Sequence, residues 1–85
     1  YNITHLIFGN NFNQIVTMSS NITNLIFGYN FSQNIIIHEN VKYLTVGYNF
    51  DENTIIPPNV MQLLLPFENM NTKMVIPINT QIFYY

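Results

Sequence analysis

The seven letters LIFGNNF, Leu6 to Phe12, return as LIFGYNF from Leu25 to Phe31 and, loosened, as LTVGYNF from Leu44 to Phe50. Asn2, Asn21, Asn40 and Asn59 set the copies in register, 19 residues apart each time. An exact period of this length constrains the fold more than any other property of the chain. A unit so short cannot bury its own apolar face and must stack on copies of itself. The repeats run 2–20, 21–39, 40–58 and 59–77, with a partial fifth at 78–85.

Within the register the columns separate by chemistry. Ile3, Ile22, Val41 and Val60 form one apolar column; Leu6, Leu25, Leu44, Leu63 and Ile82 a second; Phe8, Phe27, Val46, Leu65 and Tyr84 a third. The Leu and Phe columns lie two apart, which is the alternation of a short strand with one buried face. Apolar residues at three and four apart, as a helix requires, are not sustained. Gly9, Gly28 and Gly47 end the strand, where a turn or a close approach of backbones excludes a side chain. Asn11, Asn30 and Asn49 follow two residues later. The second half of each repeat carries an apolar column at Met18, Ile37, Ile56 and Val75. Pro57, Pro58 and Pro77 stand against a long helix there, so this half reads as an extended or irregular return.

The line I/V-x-x-L-x-F/V-x-x-N-F resembles the leucine-rich-repeat line L-x-x-L-x-L-x-x-N-x-L. By that likeness Asn11, Asn30 and Asn49 are expected inside the turn, their amides bonding to backbone. NITHLIFGNNFNQI and NITNLIFGYNFSQNI also resemble FNIP repeats, leucine-rich-repeat-like arrays of social amoebae and amoeba-infecting giant viruses. The likeness covers essentially the whole chain. Its Phe-Asn element is Phe12-Asn13 in the first copy, Phe31-Ser32 and Phe50-Asp51 in the next two, and Asn69-Met70 in the fourth. The resemblance implies a non-catalytic protein-interaction array, and an F-box preceding it would make it the substrate-recognition part of a ubiquitin ligase. The expected fold is all-β, a right-handed solenoid of leucine-rich-repeat type with a parallel sheet of short strands.

Composition narrows the function. Of 85 residues 48% are hydrophobic and only 7% charged, a sparsely charged surface that suits a fragment of something larger or an assembling chain. A net charge of −2 with two Lys and no Arg excludes the counterion-releasing patch of a nucleic-acid binder. The absence of Cys removes disulfide and thiolate-metal chemistry and points to an intracellular, cytoplasmic chain, in the host cytoplasm or the virion if it is viral. No apolar run is long enough to span a membrane, and YNITHLIFGN lacks the order of a signal peptide. The missing initiator Met marks the chain as a piece of a longer one, so a leader could lie outside it. Three sequons, at Asn2, Asn21 and Asn30, are expected by chance in a chain this rich in Asn, and an inward Asn30 would exclude a glycan.

Candidate residues follow from the strand alternation. Two rows are expected to point away from the core: His5, Asn24, Tyr43, Gln62 and Gln81, and beside it Ile7, Ile26, Thr45, Leu64 and Phe83. A hydrogen-bonding row next to an apolar row is a strip for a protein partner. The inward, structural set is Leu6, Phe8, Gly9, Asn11, Leu25, Phe27, Gly28, Asn30, Leu44, Val46, Gly47 and Asn49. Tyr29, Tyr48 and Phe67 form a further column, read as a self-packing ladder more readily than a stacking platform. Catalytic, cofactor and metal sites are not expected. Asp51 and Glu52 adjoin on a turn as a solvated pair, and His38-Glu39 lacks further ligands at a usual spacing. The edges of the stack offer a second possibility, self-association as a fibre or assembly component.

Overall fold

The computed structural model describes residues 3–85. It is a β-solenoid in which each coil contributes one short strand to a parallel sheet. The strands are β1 (His5–Ile7), β2 (Asn24–Ile26), β3 (Tyr43–Thr45), β4 (Gln62–Leu65) and β5 (Gln81–Tyr84), ordered in the sheet as in the sequence. Leu6, Leu25, Leu44, Leu63 and Ile82 pair in register, so the 19-residue period is the pitch of the strand side. No helix is long and apolar enough to cross a membrane, among the described residues.

The alternation sorts inside from outside as the pattern dictates. Leu25, Leu44 and Leu63 are wholly buried, as are Phe27, Val46 and Leu65 two residues on. Ile22, Val41 and Val60 close the core before the strand, and Met18, Ile37 and Ile56 close it from the return. The first coil packs on one side only, which leaves Leu6, Phe8, Phe12 and Val16 half-buried.

Two predicted inward assignments do not hold. Asn11, Asn30 and Asn49 are exposed; Phe31 and Phe50 beside them are buried and Phe12 half-buried. The turn points Phe to the core, where a ring replaces the water an amide would need, and leaves Asn outside. Phe27 and Phe31 stack at 4.1 Å between centroids, and Phe12 lies nearly parallel to Phe31 at 6.2 Å. In the third coil Val46 stands where Phe8 and Phe27 do, and Phe50 tilts into the vacated space, 37° from Phe27. The asparagines instead work along the flank. The backbone N–H of Asn30 donates to Asn10 O at 3.0 Å and that of Asn49 to Tyr29 O at 3.2 Å, while the Asn30 amide meets Asn11 at 3.4 Å. The outward Asn30 also removes the steric objection to its sequon.

Val75 is the other correction. It is exposed, and Ile76, one position later, packs against the core in its column. The cause lies upstream. In coils one to three a single turn, closed by Phe12 N–H to Gly9 O and its equivalents at Phe31 and Phe50, leads off the strand. In coil four Pro66 replaces the glycine and the turn lengthens into a 3-10 segment, Phe67–Asn69. One extra residue is consumed, so the return runs one position late: Met74 is buried 20 positions after the buried Thr54 of the previous coil. Thr80 then closes its turn on Pro77 as Val60 does on Pro57, and its hydroxyl donates to Val60 O at 2.7 Å. From there β5 recovers the strand register one residue early. Repeat boundaries at 59–77 therefore describe the strand side and not the return.

Glycine is required between the coils, and no glycine among those described has positive φ. A Cβ on Gly28 would lie 2.6 Å from Gly9 O and Asn10 Cα, and one on Gly47 would lie 2.2 Å from Gly28 O. The column is glycine because successive backbones touch there.

Candidate binding face

The outer side of the sheet carries both predicted rows. Ile7 is 70% exposed, His5, Tyr43, Gln81 and Phe83 are exposed, and Asn24, Ile26, Thr45, Gln62 and Leu64 are half-buried by one another. The first row is ordered locally: the Thr4 hydroxyl lies 2.8 Å from His5 Nδ1, and the Thr23 hydroxyl donates to Asn24 Oδ1 at 2.9 Å. Between the two rows over β1 to β3 lies a hollow of about 120 Å³ lined by His5, Ile7, Asn24, Ile26, Tyr43 and Thr45.

A larger groove, about 530 Å³, runs across the coils beside the apolar row. Ile7, Ile26 and Thr45 form one wall, the backbones of Gly28 and Gly47 reach its floor, and Tyr29 and Tyr48 form the far wall. Those two rings stack at 5.5 Å and 12°, which the pitch of the sheet imposes on equivalent residues of adjacent coils. The floor is low because the glycine column has no side chains. Pro66, Glu68 and Tyr85 line the groove where coil four breaks the repeat. Gln62, Leu64, Gln81 and Phe83 share the outer face but line neither depression.

Tyr85 and Glu68 are groove residues that the pattern of repeats did not single out. The Tyr85 hydroxyl donates to Val46 O, and its backbone N–H donates to Leu65 O at 3.0 Å. Burial raises the Tyr85 hydroxyl above its ordinary 10.0, and the Glu68 charge adds to the rise. Glu68 is the one charged side chain on the groove, whose walls are otherwise apolar or phenolic.

Three further titratable side chains, Asp51, Glu52 and His38, hold coils together. Asp51 accepts the Asn53 N–H at 2.9 Å and the Asn34 amide at 3.3 Å; Glu52 accepts the Lys73 N–H at 3.1 Å. His38 Nε2 lies 3.1 Å from Met18 O, and since a carbonyl only accepts, that nitrogen carries the proton. Among the described residues no three His, Cys, Asp or Glu gather as a metal-binding group. Asn40 and Asn59, from the column that sets the repeat register, donate to Ser20 O at 2.7 Å and Glu39 O at 3.3 Å. The asparagine ties between coils thus sit at the start of the third and fourth repeats and along the flank.

Fold and face define a class: a β-solenoid of 19-residue coils with a grooved parallel sheet. Comparison with family models, curated proteins and solved structures gives no match.

Proposed function

We propose that the chain is a non-catalytic repeat module that binds a protein partner along the outer strand face, with the groove beside Ile7, Ile26 and Thr45 as its centre. The supporting observation is the groove itself. A surface set only by strand propensity would be level, whereas this one is a channel with apolar and aromatic walls and one carboxylate near an end. An extended segment laid along it meets Ile7, Ile26 and Thr45 on one side and tyrosine on the other. The Cys-free sequence supports an intracellular setting for that partner. FNIP-type membership belongs to the same proposal and is supported by the repeated letters; an F-box in the parent sequence ahead of Tyr1 would extend it to a ubiquitin-ligase receptor.

The test uses Ile26→Glu and Tyr48→Ala, both at groove-lining residues that are not fully buried. Each is expected to keep the wild-type circular dichroism spectrum and urea midpoint. Affinity capture from source-cell extract should lose the wild-type's specific partner with both variants. Undiminished recovery of the same partner by the two folded variants would place binding elsewhere.

A further inference from the structure

We propose that the coil-four end of the groove reads an arginine. The proposal rests on the groove as the binding channel: the partner supplies a short extended segment whose arginine stacks on Tyr48 and pairs with Glu68. Charge is the first observation. Glu68 lines the groove, and no Lys, Arg or His does. Adjoining it on the flank is a second hollow of about 410 Å³, lined by Glu52 and again by Glu68, also without a cation. Tyr48 and Glu68 line both hollows and so form the ridge between them. The Glu52 carboxylate is committed, accepting the Lys73 N–H at 3.1 Å and the Thr72 hydroxyl at 3.4 Å. Glu68 is exposed, and among the described residues no hydrogen bond or ion pair engages its carboxylate. A free anion at the end of an apolar channel is complemented by a cation on the occupant.

The aromatic ladder supplies the second observation and says which cation. Tyr29 covers one face of Tyr48 at 5.5 Å. Phe67, 19 positions after Tyr48, should cover the other, but the 3-10 segment after Pro66 carries it away; it is 61% exposed and lines neither hollow. The ladder therefore stops at Tyr48, with one ring face turned to coil four, where Glu68 stands. Asn69 donates its amide to Tyr48 O at 3.0 Å, which leaves its Oδ1 as a further acceptor on the flank hollow. A planar guanidinium stacks on a ring and presents paired N–H donors to a carboxylate at once. Lysine is a point charge and satisfies only one of the two.

The pitch of the solenoid sets the rest of the segment. Coils stack about 4.8 Å apart, so the path from Ile7 in coil one to Glu68 in coil four is three steps, about 14 Å. An extended chain places residues i, i+2 and i+4 on one face and covers about 13 Å from i to i+4. The matching segment has its arginine at one end and apolar residues two and four positions away, toward Ile26 and Ile7.

Selection of a random library of eight-residue peptides displayed on phage, against the 85-residue chain, tests the proposal. Enriched peptides are expected to share an arginine with apolar residues two and four positions from it. For the best of them, made synthetically, exchange of the arginine for lysine or for uncharged citrulline should each weaken binding about tenfold in a fluorescence-polarisation titration. Glu68→Gln should do the same at an unchanged urea midpoint, and Glu68→Arg should prefer the peptide with Glu in place of its arginine. Peptides that lose binding to Ile26→Glu but carry no arginine, or that bind Glu68→Gln undiminished, leave the groove reading standing and overturn the arginine pocket. Equal binding of the lysine peptide overturns the stacking on Tyr48. Peptides indifferent to Ile26→Glu overturn the groove reading and this proposal with it, and a selection that enriches nothing overturns the short extended segment.

Discussion

Replacing Gly47 by Ala isolates the contact on which coil stacking depends. The added Cβ would sit 2.2 Å from Gly28 O, 2.6 Å from Gly28 C and 2.8 Å from Tyr29 Cα, all backbone atoms that no rotamer change can move. Ordinary contact begins near 3.4 Å, so coils two and three must part locally by about 1.2 Å. The ladder bonds flanking this point, Asn49 N–H to Tyr29 O at 3.2 Å and Phe27 N–H to Thr45 O at 2.9 Å, cannot stretch that far and survive. Two lost bonds at roughly 1 kcal/mol each, added to roughly 1 to 3 kcal/mol of overpacking strain, give a cost of about 3 to 5 kcal/mol. That is a large part of the stability of any small domain. Gly9→Ala is the internal control: the same residue change in the same column meets no atom within 4 Å and should be neutral, or stabilising by roughly 0.4 to 1 kcal/mol through the unfolded state. Urea unfolding at low micromolar concentration measures both. Equal midpoints for Gly47→Ala and Gly9→Ala would refute the argument that backbone approach between coils fixes the glycine column.

Other outcomes follow from the burial pattern. Phe31→Ala, at a wholly buried ring, should cost about 3 to 5 kcal/mol, while Asn30→Ala at its exposed neighbour should cost under about 0.5 kcal/mol; similar urea midpoints would contradict the inside-outside order of the turn. The Thr54 hydroxyl is buried without a partner, in the column where coil two has Ile35, so Thr54→Val should raise stability by about 1 kcal/mol in the same assay. Because the folded chain raises the Tyr85 hydroxyl, the neutral form is the favoured one. Its contribution is complete below pH 10 and is lost as pH rises through the folded value, so wild type should lose urea resistance above pH 10 more steeply than Tyr85→Phe. Parallel pH profiles would exclude that linkage.

The strand side was legible because a period-two pattern fixes which residues face inward, and a 19-residue repeat then copies the answer to each coil. The Asn column was misread for a reason the same letters contain. Asn and Phe adjoin on a turn, only one can point inward, and the large apolar residue at Phe12, Phe31 and Phe50 wins over an amide that would need buried partners. Analogy to leucine-rich repeats favoured the amide; hydrophobicity favoured the ring. The shift in coil four is half visible: Pro66 signals an altered turn, but only the path of the chain shows that one residue is absorbed there and that Met74 and Ile76, not Lys73 and Val75, face inward. The closeness of Tyr85 to Val46, 39 positions away and two coils back, follows from no local pattern at all.

The break in the repeat has a bearing on where binding falls. Coils one to three present the same outward geometry, and a regular array alone would continue the channel between the apolar row and the tyrosine ladder indefinitely. Pro66 cannot take the close approach that Gly28 and Gly47 take, the longer turn brings Glu68 to the channel, and Tyr85 folds back over the coil to reach Val46. A repetitive wall thus acquires a distinct end with the groove's only charge beside it. Inward residues are held constant by stacking, so under the proposed function discrimination between partners would rest with the outward rows and this irregular end. A partner that binds through the channel is accordingly expected to have a fixed register along it, and Glu68→Gln is the substitution that should weaken that register without touching the buried core, since Glu68 is exposed.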